Sequence, residues 1–499
     1  MSRQAGILMP ISSLPSEYGI GCFSKEAYEF VDALVDAGQT CWQLLPLGPT
    51  SYGDSPYQSF STFAGNPYFI DPNELVARKW ITKKKCDSYS FGKQTDRVDY
   101  AQIYASRFRL LKEAYRKSGI EADKDYQRFV KKNRFWLEDY ALYMAVKGSF
   151  GNRSWQEWDE DIRFRKKDAM ERYREKYRDE ILFYQFIQYE FTREWKKLKA
   201  YANKKGIQII GDIPIYVALD SADAWANPEL FQFKEDMRPK AVAGCPPDAF
   251  SADGQLWGNP LYDWEYHKKT EFDWWIRRLQ NCFAFYDIVR IDHFRGFDEY
   301  YSIPFPAKNA RGGKWEKGPG ILLFKKMKEK LGERRVIAED LGYLTPSVIR
   351  LVKKTGYPGM KVLQFAFDSR EESDYLPHNY GANSVVYTGT HDNDTTLHWY
   401  EVLKGRDKRF ASEYLDIPKD VRESEVPWIF IRAAYASVSD LAVIPMQDVL
   451  SLGGKARMNY PSTLGGNWEW RMKPGAFSAA KRKRLKKLAE LYGRFHEKK

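Results

Sequence analysis

Cysteine is scarce in this chain of 499 residues, and the five present (Cys22, Cys41, Cys86, Cys245, Cys282) are an odd number without paired spacing. That argues against a disulfide framework and for reduced thiols, so the expected compartment is the cytoplasm. No apolar run approaches the roughly 18 residues that a membrane span requires. The apolar stretch within residues 1–10 is too short for a secretory leader, although a plastid form relieved of a transit peptide would read the same way. No internal repeat or low-complexity linker divides the chain. Length alone allows three domains, but residues 1–499 are expected to form one folded unit with insertions. No cluster of His, Cys, Asp and Glu has metal-ligand spacing, so neither a metal nor a cofactor is expected. Nothing in the sequence sets the oligomeric state.

The formal charge is +12. Acidic residues are interleaved with the basic ones in helical-looking segments, which argues against a nucleic-acid partner. The basic last segment, residues 481–495, carries Leu485, Leu488, Leu491, Tyr492 and Phe495 on one side. It reads as a solvated helix rather than a membrane anchor. Aromatic residues make up 16% of the chain. Most must serve core packing, but tryptophan and tyrosine faces also suit a neutral polyol.

The most informative stretch is Tyr286-Asp287-Ile288-Val289-Arg290-Ile291-Asp292-His293. A short apolar run with β-branched residues reads as a buried strand of a parallel sheet. Arg290 and Asp292 share a face because side chains alternate along a strand. They form either a structural ion pair closing the strand end or a carboxylate held ionised by its guanidinium neighbour. Two further strands end in acids: residues 335–342, through Glu339 and Asp340, and residues 384–394, through His391-Asp392-Asn393-Asp394. Three acid-tipped strands suggest a parallel barrel with its site at the C-terminal rim.

The order Arg-x-Asp-His, Ala-Glu-Asp-Leu-Gly, Gly-Thr-His-Asp-Asn-Asp-Thr resembles the α-amylase clan. Within that clan it is most similar to the 4-alpha-glucanotransferases of glycoside hydrolase family 77. Pro10-Ile11-Ser12-Ser13-Leu14-Pro15, Gly53-Asp54-Ser55-Pro56-Tyr57 and Gly65-Asn66-Pro67 carry the resemblance near the N-terminus. Pro246-Pro247-Asp248-Ala249-Phe250 and Gly254-Gln255-Leu256-Trp257-Gly258-Asn259-Pro260 carry it in a long loop. Asn459-Tyr460-Pro461 and Asn467-Trp468-Glu469-Trp470-Arg471 carry it near the C-terminus. The resemblance implies an α/β fold, a (β/α)8 TIM barrel with helical and loop insertions. It also implies a retaining reaction between an α-1,4-glucan donor and acceptor, with an α-glucan hydrolase or a non-catalytic glucan-binding protein as the alternatives.

Retaining chemistry needs an ionised nucleophile and a protonated acid roughly 5–5.5 Å apart. On the resemblance, Asp292 is the nucleophile, Glu339 the acid and base, and Asp392 the carboxylate that stabilises the transition state. The substrate-binding residues it implies are Tyr57, Asp212, Phe250, Trp257, Asn259, Arg290, His293, His391, Asn459 and Pro461. Asp340 and Asp394 are expected to be structural. Calcium-binding members of the clan commonly place Asn-His shortly after the first acid. Here that position reads Tyr216-Val217, which argues against a calcium site.

Taken in order, residues 41–47 are expected to form the first strand and residues 68–71 the second. Residues 72–205 read as a mostly helical insertion. The third strand runs from 207 to 212, and residues 218–275 form an insertion carrying the active-site loop. Later strands are expected to end near Asp292 and Glu339, to span 361–367, to end at Asp392, and to span 441–446.

Overall fold

A computed structural model describes residues 3–51, 53–247, 252–342 and 344–495. Its centre is a sheet of eight parallel strands. In chain order these are β1 (Gln4–Leu8), β2 (Cys41–Gln43), β3 (Gln208–Ile213), β4 (Ile288–Ile291), β5 (Val336–Ala338), β6 (Gly359–Val362), β7 (Ser384–Tyr387) and β8 (Leu441–Pro445). Their spatial order is β6-β7-β8-β1-β2-β3-β4-β5. The Ala338 N–H at the end of β5 donates to the Pro358 carbonyl just before β6 at 3.0 Å, which brings the two edges together. The fold is a (β/α)8 barrel. All four residues of β4 and of β7 are buried, as expected of strands covered on both faces.

Three expected strands need correction. The first is Gln4–Leu8, and residues 41–43 are the second. The short QAGIL segment escapes notice because a glycine interrupts it. Gly6 is needed there: a Cβ at that position would lie 2.7 Å from the Cys41 Cβ. Residues 68–71 do not form a strand. The Asn66 side chain accepts from the Tyr68 N–H at 3.0 Å and starts a tight 3-10 turn at Pro67–Phe69. Asp71 then caps the helix Pro72–Ala77 by accepting from the Asn73 N–H at 3.0 Å. The sixth strand ends at Val362, and residues 363–365 turn into a 3-10 helix.

Between β2 and β3 the chain is mostly helical, with long helices at Tyr100–Ser118, Arg134–Ser149 and Arg178–Lys204. The last of these buries Phe183, Phe186, Phe191, Trp195 and Leu198 on its inward face. It also fixes the loop after β2. The Gln188 amide brackets Gly65, accepting from its N–H at 2.7 Å and donating to its carbonyl at 2.8 Å. A Cβ on Gly65 would lie 2.0 Å from the Phe191 ring, so the close approach demands glycine. A second, antiparallel sheet joins Ala241–Cys245 to Gln255–Pro260 on one side and Glu299–Pro304 on the other. It builds a wall above β3 and β4. Among the described residues, no helix is long and apolar enough to cross a membrane.

Candidate active site

Asp212 on β3 and Arg290 on β4 are register partners. The Arg290 guanidinium is almost fully buried and donates to both oxygens of Asp212, at 2.7 and 2.6 Å. Its other terminal nitrogen lies 3.0 Å from Asp292 Oδ1. One cation therefore serves two carboxylates. The Tyr57 hydroxyl adds a hydrogen bond to Asp212 Oδ2 at 2.8 Å.

Arg290 does not lower the Asp292 pKa overall. Burial pushes it up to about 6, Arg290 opposes this, and the Asp212 charge adds to the rise. The same cause, burial first and then the Asp292 charge, pushes Glu339 up to about 7. Arg290 and two backbone hydrogen bonds oppose that shift. Those bonds are donated by the His293 N–H to Oε2 at 2.7 Å and by the Leu341 N–H to Oε1 at 2.9 Å. Burial thus raises both carboxyls, and the Asp292 charge raises Glu339 further. His293 sits in the left-handed region at φ 52°, which points its N–H at the neighbouring strand end. Burial holds its imidazole neutral, with a pKa of about 3. Its ring meets the Trp257 indole edge-on at 4.8 Å.

Asp392 follows β7 and leaves about 48% of its side chain open. The Asn459 amide donates to its Oδ1 at 2.6 Å, and His391 Nε2 lies 3.4 Å from Oδ2. The Arg457 guanidinium donates to the Asp392 carbonyl at 2.8 Å. The His391 ring stacks on Tyr57 at 5.1 Å and 17°. These groups open onto a cleft with about 1630 Å³ of empty space, lined among others by Tyr57, Trp257, Asp292, His391, Asp392 and Asn459. A large concave space with a few convergent polar groups is what a substrate site requires.

A family model described as 4-alpha-glucanotransferase, of glycoside hydrolase family 77, matches residues 9–478. The chain belongs to that family. The 4-alpha-glucanotransferase of Clostridium butyricum is 48% identical over 488 residues, 97% of this chain and 100% of that protein. The amylomaltase of Streptococcus agalactiae, solved in complex with acarbose, superposes with a TM-score of 0.96 at 44% identity, covering 99% of this chain and 100% of that one. The amylomaltase of Corynebacterium glutamicum, at 18% identity and a TM-score of 0.77, covers 99% of this chain and 74% of its own, and shares the fold.

Within this 4-alpha-glucanotransferase scaffold the sequence-expected residues fall into layers. Tyr57, Trp257, Asn259, Asp292, His293, His391, Asp392, Asn459 and Pro461 line the cleft. Asp212 and Arg290 lie beneath it as a buried pair, and Glu339 is half-buried beside Asp292. Asn259 is also anchored, its amide donating to the Val217 carbonyl at 2.7 Å. Phe250 lies outside the described residues. The two control acids are held elsewhere. Asp340 accepts from the Met360 N–H at 2.7 Å on β6, and Asp394 faces His398 Nδ1 at 2.6 Å.

Sequence reasoning missed Arg457 and Trp468. Arg457 donates to the carbonyls of Asp392 and Asn459, both at 2.8 Å, and so ties the β7 loop to the 457–468 loop. Trp468 lines the cleft and packs on Tyr57 at 5.8 Å and on His391 at 5.9 Å. Its place in the Asn467-Trp468 motif was a usable signal. Arg457 gave less to read: its hydrogen bonds go to backbone carbonyls, and its ion pair with Asp394 is 3.7 Å long.

Proposed function

We propose that this chain moves α-1,4-glucan segments between donor and acceptor chains by a retaining double displacement through a covalent glucosyl–enzyme intermediate. Asp292 is the nucleophile, Glu339 the acid and then the base, and Asp392 holds ring hydroxyls of the distorted sugar. The observation that carries the reading is the pairing across the ends of β4 and β5. The Arg290 guanidinium lies 3.0 Å from Asp292, whereas burial and the Asp292 charge both raise Glu339. With Asp292 ionised against Arg290 and Glu339 holding a proton, the pair has the division of labour the first step needs. When the sugar bonds to Asp292, the Asp292 charge disappears. The Glu339 pKa then falls, which readies it as base for the incoming hydroxyl.

Tyr57, His391 and Trp257 supply ring faces and edges around the sugar, with the neutral His293 imidazole beside them. Arg290 and Asp212 hold the nucleophile from below. We place the protein in a reducing compartment, the cytoplasm, because its cysteines are scarce, odd in number and without paired spacing. The test is incubation with maltotriose. Transfer yields glucose together with longer maltooligosaccharides. Glucose and maltose alone would mean hydrolysis, and no conversion would mean that the reading is wrong.

A further inference from the structure

A second cavity, with about 750 Å³ of empty space, lies on the flank of the barrel and shares no lining residue with the catalytic cleft. Helices Arg134–Ser149, Ala222–Ala226, Trp264–Lys269 and Asp273–Phe285 contribute to its walls. Five aromatic side chains line it: Phe63, Phe135, Trp136, Tyr266 and Trp274. Phe63 organises them, stacking on Trp136 at 6.3 Å and meeting Phe135 and Trp274 edge-on at 5.4 and 6.1 Å. Phe135 keeps 48% of its surface exposed.

The polar groups of this cavity divide into committed and uncommitted ones. Asp139 is paired with Arg165 at 2.7 Å and Asp273 with Arg277 at 2.8 Å. Asp223 accepts from the Thr62 N–H and hydroxyl, at 2.8 and 3.1 Å. Among the described residues, no protein group hydrogen-bonds the Tyr266 hydroxyl, the Trp274 indole N–H or the Glu229 carboxylate. The uncommitted set therefore holds a donor, a group that both donates and accepts, and an acceptor. An anionic ligand would meet four carboxylates (Asp139, Asp223, Glu229, Asp273) against one guanidinium (Arg277). A cation would leave the indole N–H unanswered. Sugar hydroxyls satisfy all three groups, and the C–H faces of the sugar rings cover the aromatic walls.

We infer that this cavity is a second binding site for neutral α-1,4-glucan, separate from the catalytic cleft. The inference rests on the proposal that the chain acts on such glucans. Ser61 and Phe63 of the cavity belong to the same loop as Tyr57 and Gln58 of the cleft wall. A long glucan seated in the cavity is thereby tethered to the enzyme, and its free length is presented to the cleft at raised effective concentration. A trisaccharide gains nothing from this.

The test uses the full chain and two exposed substitutions that spare the core, Phe135→Ala and Glu229→Gln, alone and together. Retardation in a native gel containing amylose reads glucan binding without turnover. Loss of one aromatic contact is expected to weaken retardation about fivefold and to raise KM for amylose by about the same factor. Maltotriose disproportionation should stay within about twofold of wild type. Unchanged retardation in the double variant overturns the cavity as a glucan site. If the unaltered protein fails to convert maltotriose, the functional proposal is what fails, and the gel still reports on the cavity.

Discussion

The backbone N–H of His293 donates to Glu339 Oε2 at 2.7 Å, so the residue directly after the proposed nucleophile holds the proposed acid. The left-handed turn at His293 makes this possible. Backbone bonds join the same ends of β4 and β5, from the Glu339 N–H to the Ile291 carbonyl at 3.1 Å and from the Phe294 N–H to the Glu339 carbonyl at 3.0 Å. Side-chain changes at the two acids should therefore leave their frame in place. Asp292→Asn and Glu339→Gln are each expected to cut maltotriose turnover by about 10²- to 10⁴-fold or more with little change in fold. Asp340→Asn and Asp394→Asn, whose carboxylates serve Met360 and His398, should lose far less activity. Wild-type turnover in Asp292→Asn, after excluding deamidation, would sink the assignment.

The raised Glu339 pKa also makes a stability prediction. The ordinary value is 4.5 and the folded value about 7, so between these pH values the unfolded chain releases a proton that the folded protein keeps. Stability from this group is fully present below pH 4.5 and is lost as pH rises through about 7. Glu339→Gln removes that dependence. Its Tm relative to wild type should climb across this window and level off above it. A Tm difference that stays flat from pH 4.5 to pH 8 would contradict the displaced pKa.

The loop at residues 246–257 should influence whether water or a sugar hydroxyl completes the reaction. Trp257 lines the cleft and packs edge-on against His293, so it covers the site beside the nucleophile. Such a cover limits access of water to the intermediate. Trp257→Ala and Phe250→Ala are expected to weaken acceptor use more than donor cleavage, raising the hydrolytic share of turnover. Reducing-end release measured against glucose transfer reads this directly. A parallel fall in both rates would make the loop mere scaffolding.

Barrel class, the three acid-tipped strands and the residues that gather at their ends around the cleft were legible because each strand combines a short apolar run with an abrupt polar end. What escaped had physical reasons. Gln4–Leu8 is too short and too interrupted by Gly6 to carry a periodic signal, and its pairing with β8 is fixed by contacts more than 400 residues away. Residues 68–71 are apolar enough for a strand, but the Asn66 and Asp71 caps turn the backbone instead. The sign of the Asp292 shift was illegible because it depends on burial and on Asp212, which the chain brings in from another strand. Arg457 was missed because its hydrogen bonds go to backbone carbonyls, and its ion-pair partner Asp394 lies 3.7 Å away and 63 residues earlier in the chain.

The central claim is a covalent glucosyl bond to one carboxylate. Incubating Glu339→Gln with an activated fluoro-glucosyl donor forms the first intermediate and slows its release, since the base of the second step is gone. Peptide mass spectrometry then locates the sugar. One glucosyl adduct on the peptide containing Asp292 is the expected result. An unmodified Asp292 peptide, or an adduct on Asp392, would contradict it.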